Sequence, residues 1–246
     1  MIIEDYLQKI QQVLRSVADL NAEPFETAAE TIASAYAKGK TIYVFGCTHS
    51  AILAEDVFYR AGAPAFWRPL WGPGLSIAAT PGFLTTAMEH SLELGEAVVA
   101  NSQISKGDVI TIISTSGKNA APVAVAERSL ERGAKVILVC SSFYRNERGN
   151  HPRHPSLWSF KDQAILLDNR VPCGDSSFEI AGCPMGPLST IAGSFIMHTL
   201  SAKAVEKIAA SGLVPPVFKS SNAPGGAEFN WELLARPGMK ETFMLP

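Results

Sequence analysis

Apolar residues along this chain recur at two periods that take turns. Ile3, Leu7, Ile10, Leu14, Val17 and Leu20 stand three and four positions apart, with Tyr6 and Val13 beside them. That spacing predicts an amphipathic helix over residues 2–20, whose stripe needs a partner surface. Pro24 suits the first turn of a second helix through Phe25, Ala28, Ala29, Ile32 and Tyr36, closed by Gly39. Then the period changes. Thr41-Ile42-Tyr43-Val44-Phe45 is β-branched and aromatic, too short for a helix, and followed at once by Gly46, which predicts a strand. A helix over 50–61 follows, then a strand over 65–70, a loop rich in proline and glycine from Trp71 to Gly82, and a helix around 89–101. Val109–Ile113 has the unbroken apolar character of a strand covered on both faces. Beyond it the pattern predicts a helix over 119–132, strands over 135–140 and 164–167, and a long helix over 189–210.

Strands that alternate with helices imply right-handed βαβ crossovers and a parallel sheet between two helix layers, an α/β architecture. Residues 1–246 read as one domain. Residues 1–24 are expected to pack as a helical extension on that domain or on a dimer partner, and residues 212–246, with little periodicity, as an irregular tail. So much helical apolar surface also predicts a homodimer or homotetramer. The polar run from Tyr144 to Pro155, with Arg145, Arg148, His151, Arg153 and His154, is expected to be a solvated surface loop.

Composition narrows the function. A chain of 246 residues that is 47% hydrophobic and 18% charged can bury a full core. Its 21 lysines and arginines nearly balance 23 acidic residues, so no positive field holds nucleic acid or an anionic membrane, and a small ligand is expected. Met1-Ile2-Ile3-Glu4-Asp5 lacks a signal-peptide pattern, and no apolar run is long enough for a membrane span. A cytoplasmic protein is expected. Cys47, Cys140, Cys173 and Cys183 are widely spaced without a Cys-x-x-Cys pair, which argues against a structural zinc site or a disulfide framework. No cofactor and no metal is expected.

Two loops carry the candidate chemistry. Gly46-Cys47-Thr48-His49-Ser50 and Ser114-Thr115-Ser116-Gly117-Lys118-Asn119 each follow a strand pattern and open a helix pattern. Loops of that kind put hydroxyls, helix N-terminal N–H groups and the positive helix end at the carboxyl edge of the sheet, where they favour an anion such as phosphate. In the second loop Gly117 permits a left-handed turn, and the N–H groups of Lys118, Asn119 and Ala120 are expected to be free. Capping for its own sake is the competing account, since serine, threonine and asparagine also satisfy helix ends.

Gly46-x-x-x-Ser50 after a strand, Lys106-Gly107-Asp108 before one, Ser114-x-Ser116-Gly117, and Arg132-Gly133-Ala134-Lys135-Val136-Ile137 together resemble the SIS (sugar isomerase) domain over about residues 25–210. Within it the chain looks most like the small uncharacterised members near phosphoheptose isomerase. The resemblance implies a flavodoxin-like three-layer αβα sandwich with a five-stranded parallel sheet. It also implies a phosphosugar ligand contacted by Gly46, Thr48, His49, Ser50, Ser114, Thr115, Ser116, Gly117, Asn119 and Thr190. Thr48 stands where the family usually has glycine, Asn119 where serine or threonine is common, and Ala51 where metal-binding members carry histidine.

Aldose–ketose isomerisation needs a base to move a proton between carbons 1 and 2 and an acid at the carbonyl. By resemblance Glu55 is the base and His198 the acid, with Glu89 a further carboxylate. A solvent-facing acid and a hydrogen-bonded core histidine are the plain alternatives for the first two. His198 falls on the stripe Ile191, Phe195, Ala202, Val205 and Ala209 and is therefore expected to point toward the core or an interface. Asp175 reads as a turn residue or a site residue. Three functions stay open: a sugar-phosphate isomerase working through an enediol, a non-catalytic sugar-phosphate sensor, and a phosphosugar lyase or etherase.

Overall fold

The computed structural model describes residues 2–236. Five parallel strands form the central sheet: β1 (Ile42–Gly46), β2 (Trp67–Pro69), β3 (Val109–Ile113), β4 (Lys135–Cys140) and β5 (Ile165–Asp168), in the order β2-β1-β3-β4-β5. Helices α1 (Ile2–Leu20), α2 (Ala22–Ala37), α3 (His49–Val57), α4 (Gly82–Glu89), α5 (Leu92–Ala100), α6 (Ala120–Glu131) and α7 (Ser189–Ala210) surround it.

Strand side chains alternate, so each strand feeds two cores. Ile42, Val44, Val109, Ile113, Ile137, Val139 and Leu167 meet α2, α3 and α7 on one face. Tyr43, Phe45, Ile110, Ile112, Val136 and Leu138 meet α5 and α6 on the other. Covering on both faces explains the near-continuous apolar runs of β3 and β4, and the expected sandwich is the observed one. Gly46 pairs with Ile113 at the carboxyl ends of β1 and β3, so the two candidate loops leave the sheet side by side.

Several elements differ from the sequence expectation, each for a local reason. Helix α3 stops at Val57 rather than residue 61, because Phe58 turns extended at ψ 132° and Tyr59 takes φ +45°. The helix expected around 89–101 is α5, and α4 precedes it as an additional helix. They are separated at His90 and Ser91, whose Oγ caps α5 by accepting from Leu94 N at 3.1 Å. Two three-residue strands, β6 (Phe178–Ile180) and β7 (Cys183–Met185), form a hairpin. It turns through Ala181 and Gly182 at φ +51° and +79°, the geometry of a primed turn.

The tail is not irregular throughout. Gly226–Leu234 is a helix, α8, and Phe218 and Leu233 are buried against Ala65. Backbone bonds from Ala65 N to Pro216 O (2.6 Å) and from Phe218 N to Ala63 O (3.1 Å) fasten it to its own subunit. Residues 237–246 of the expected tail lie outside the described residues. At the other end, Ile10 and Val13 of α1 pack on Val171, Leu188 and Ala192, while Ile2, Ile3 and Leu7 stay exposed.

Candidate functional site

Connections from β1 and β3 run to opposite sides of the sheet, to β2 and β4 respectively. That is the switch point at which α/β sheets leave a crevice beyond the strand ends. The first loop enters it under strain. Gly46 is required, because an added Cβ would overlap the Ser50 carbonyl oxygen. Thr48 is left-handed, at φ +52° and ψ −123°, a rare conformation for a β-branched residue. Two contacts hold it there: Thr48 N donates to Leu75 O at 2.7 Å, and Thr48 bridges Ser76 in strand fashion. Ser76 in turn donates its hydroxyl to Glu55 Oε1 at 2.8 Å. The strained loop and the carboxylate on the helix it launches thus share one buttress. His49 is exposed, and Ser50 is half-buried with its hydroxyl unpartnered among the described residues.

The second loop is relaxed. Ser114 is buried and its Oγ accepts from Gly117 N at 3.2 Å, closing the turn that Gly117 makes at φ +63°. Thr115 Oγ1 accepts from Asn169 Nδ2 at 3.0 Å. The N–H groups of Ser116, Lys118 and Asn119 make no hydrogen bond among the described residues. They stand at the positive end of α6, ready for an anion. Ala120 N differs from expectation: it donates to Asn150 Oδ1 at 2.9 Å.

Asn150 belongs to the basic segment expected to be solvated; Arg145, Arg148 and Arg153 are exposed, while the segment also straps onto α6. His151 is buried, and its Nδ1 accepts from the backbone N–H groups of Arg153 and His154 at 3.3 and 3.1 Å. Arg153 and His154 clamp Glu127 of α6 through Nε at 2.8 Å and Nε2 at 3.0 Å. The Arg153 guanidinium holds the Glu127 carboxyl down at about 2, against the opposing effect of burial. Asn150 also donates Nδ2 to His90 O at 2.7 Å, so one side chain joins the start of α6 to the end of α4.

Glu89 lies at that end of α4. Burial pushes its carboxyl above the usual range, with the Asn119 amide and His90 pulling the other way. Its charge also helps to raise the Cys47 thiol, which burial alone already takes well above the ordinary value. Glu89 therefore lies beside residues of both loops, and a carboxyl of that kind can exchange protons nearer neutrality.

His198 does not lie on the core face of α7. The buried stripe is Ala192, Gly193, Ile196, Met197, Leu200, Ser201, Ala204 and Ile208, about half a turn from the stripe expected, and the His198 side chain is 39% exposed. Its Nε2 meets Asp56 Oδ2 at 2.8 Å, and Asp56 also accepts from Ser194 Oγ at 3.1 Å and pairs with Arg60. Glu55 and His198 thus hold different partners, Ser76 of the loop after β2 for one and Asp56 of α3 for the other. Thr190 sits in the first turn of α7. Asp175 is a cap: its carboxylate accepts from Leu188 N and Ser189 N, both at 2.9 Å, and from Ser189 Oγ at 2.6 Å. Among the described residues no three His, Cys, Asp or Glu side chains group to hold a metal ion, and no helix is long and apolar enough to cross a membrane.

A profile of the SIS domain matches residues 5–141. The chain belongs to the SIS domain family. The UPF0309 protein of Shouchella clausii is 32% identical over 95% of this chain and 96% of its own length. That of Streptomyces avermitilis is 34% identical over 96% and 95%. Among solved structures, phosphoheptose isomerase GmhA of Neisseria gonorrhoeae superposes with a TM-score of 0.55 at 17% identity, covering 82% of this chain and 96% of its own. NanR of Vibrio vulnificus, solved with ManNAc-6P, gives 0.55 at 14% identity, covering 96% and 71%. At these identities the structural likeness establishes the SIS fold alone.

Proposed function

We propose that this SIS domain binds a sugar phosphate at the switch point and interconverts its aldose and ketose forms. One observation carries the reading: a loop with free backbone N–H groups and hydroxyls leaves the sheet beside the loop that launches the helix of Glu55, and Glu89 lies against its Asn119. The phosphoryl group takes the N–H groups of Ser116, Lys118 and Asn119 with the hydroxyls of Ser50 and Ser116. Glu55, oriented by Ser76, removes the proton from carbon 2 of the aldose and returns it to carbon 1, through an enediol. Glu89, whose carboxyl is held toward its protonated form, donates to the carbonyl oxygen as the enediol forms and takes the proton of the 2-hydroxyl as the ketose carbonyl forms. The donor role goes to Glu89 over His198 because Glu89 lies beside Asn119 of the anion loop, whereas His198 is engaged by Asp56. NanR, solved with ManNAc-6P, supports the phosphosugar class.

The test is solvent deuterium exchange at carbon 2 of aldose phosphates and at carbon 1 of ketose phosphates, read by NMR beside binding titrations. At least one substrate is expected to exchange, with Glu55→Gln slowing exchange by about 10²–10⁴-fold and leaving binding intact. Binding without exchange for every sugar tested overturns the isomerase and leaves a sensor. Glu89→Gln and His198→Gln compared in the same assay decide the proton donor.

A further inference from the structure

We infer that a cavity between α1 and the segment after β5 is a second ligand site, made for a small organic anion. It has a volume of about 300 Å³. Roughly ten waters' share of liquid volume fits there, enough for a ligand on the order of ten to fifteen non-hydrogen atoms.

Its lining mixes cationic and polar residues, Lys9, Ser16 and Arg170, with the apolar Val13, Phe143 and Leu188. Lys9 has no ion-pair partner among the described residues. Arg170 is built in place. Its backbone is left-handed at φ +56°, fixed by Arg170 N donating to Asp168 Oδ1 at 2.9 Å. Its guanidinium carbon lies 4.6 Å from the Phe143 ring centre, a cation–π contact that holds the plane still.

Nε donates to Ser16 Oγ at 3.2 Å, and Nη1 to Ser142 Oγ at 2.7 Å and Asp168 Oδ2 at 3.4 Å. Nη2 has no acceptor among the described residues and is the guanidinium nitrogen left for a ligand. Asp168 offsets one of the two cationic charges, so the cavity keeps one in excess beside apolar side chains. That combination recognises a carboxylate or a phosphomonoester on a compact apolar body. None of these side chains takes part in the sugar-phosphate reading above, so the two inferences stand or fall separately.

Phenyl phosphate and phenylacetate, titrated into the full chain by calorimetry with benzyl alcohol as the neutral counterpart, test the site and distinguish phosphoryl from carboxylate. At least one anion is expected to bind one to one. Lys9→Glu, an exposed change that spares the fold, weakens it about tenfold or more, as loss of a charge-assisted contact requires. Arg170→Gly keeps the left-handed backbone and weakens it likewise. Ser114→Ala leaves it unchanged. The inference is overturned if neither anion binds, if benzyl alcohol binds as well, if neither charge variant weakens binding, or if Ser114→Ala abolishes it.

Discussion

The two loops at the switch point solve the same geometric problem with different residues. Each must turn a buried strand sharply into a helix, and each passes through the left-handed region, at Thr48 (φ +52°) and at Gly117 (φ +63°). In the second loop glycine makes the turn without strain and the Ser114 hydroxyl closes it, which leaves backbone donors over for a ligand. In the first a β-branched residue makes the turn, and neighbouring chain at Leu75 and Ser76 holds it. The same neighbour grips Glu55. A relaxed loop suits holding an anion, whereas a strained and buttressed one suits fixing the direction of a side chain.

The comparison breaks most severely at Gly46. Its added Cβ would overlap the backbone of Ser50 and Ala51, which cannot swing aside as a side chain can. Gly46→Ala is expected to cost about 3 kcal/mol or more of stability by denaturant unfolding. In the second loop Gly117→Ala meets a tight approach from Leu157 Cβ at 3.3 Å and ordinary contact from Cys140, together with an unfavourable φ. A cost of about 1–2 kcal/mol is expected. Equal costs for the two variants would remove the distinction between the loops.

Acid should separate the loops as well. Glu127 fastens the strap that carries Asn150, and its carboxyl is depressed from 4.5 to about 2 in the fold. A depressed carboxyl contributes stability that is present above the unfolded value and lost as pH falls toward the folded one. The contribution is therefore complete above about pH 5 and disappears between about pH 4.5 and 2. Its ceiling is on the order of 3 kcal/mol, reduced by the half-exposed Arg153 partner. Hydrogen exchange across that window should show amides at the start of α6 opening before those of the first loop, and Glu127→Gln should show the same opening at neutral pH. Simultaneous opening would mean that the strap does not serve the second loop.

How much of this was legible in the sequence depended on whether the deciding partner lay nearby in the chain. Strands β3 and β4 and helix α7 fall on the expected residues, because a fully covered strand and a long helix announce themselves in composition and period. Both loops were legible as strand-to-helix turns rich in hydroxyls. Their supports were not. Ser76 reaches Glu55 across 21 residues, Asn150 reaches Ala120 across 30 and Asp56 reaches His198 across 142. Such pairings arise only when the sheet order brings distant segments together. The core face of α7 was misassigned for a related reason. Helix α7 is apolar on several faces, so periodicity alone does not say which face α2 and α3 cover.

The smallest expected effect bears most directly on the comparison. If the first loop stores strain at Thr48, glycine there should relieve it: the backbone keeps φ +52°, and the contact to Leu75 O is made by a backbone N–H that glycine retains. Opposing this, glycine gives the unfolded chain more freedom, worth roughly 0.5–1 kcal/mol, against a strain of about 1–3 kcal/mol for a non-glycine residue in that region. Thr48→Gly is therefore expected to raise stability by about 1 kcal/mol in denaturant unfolding. The same change frees the turn that aims α3, so Glu55 should be held less firmly and carbon-2 exchange should fall even as the fold grows more stable. A variant that is less stable would show that the loop is not strained. One that is more stable with undiminished exchange would show that the strain has no part in directing Glu55.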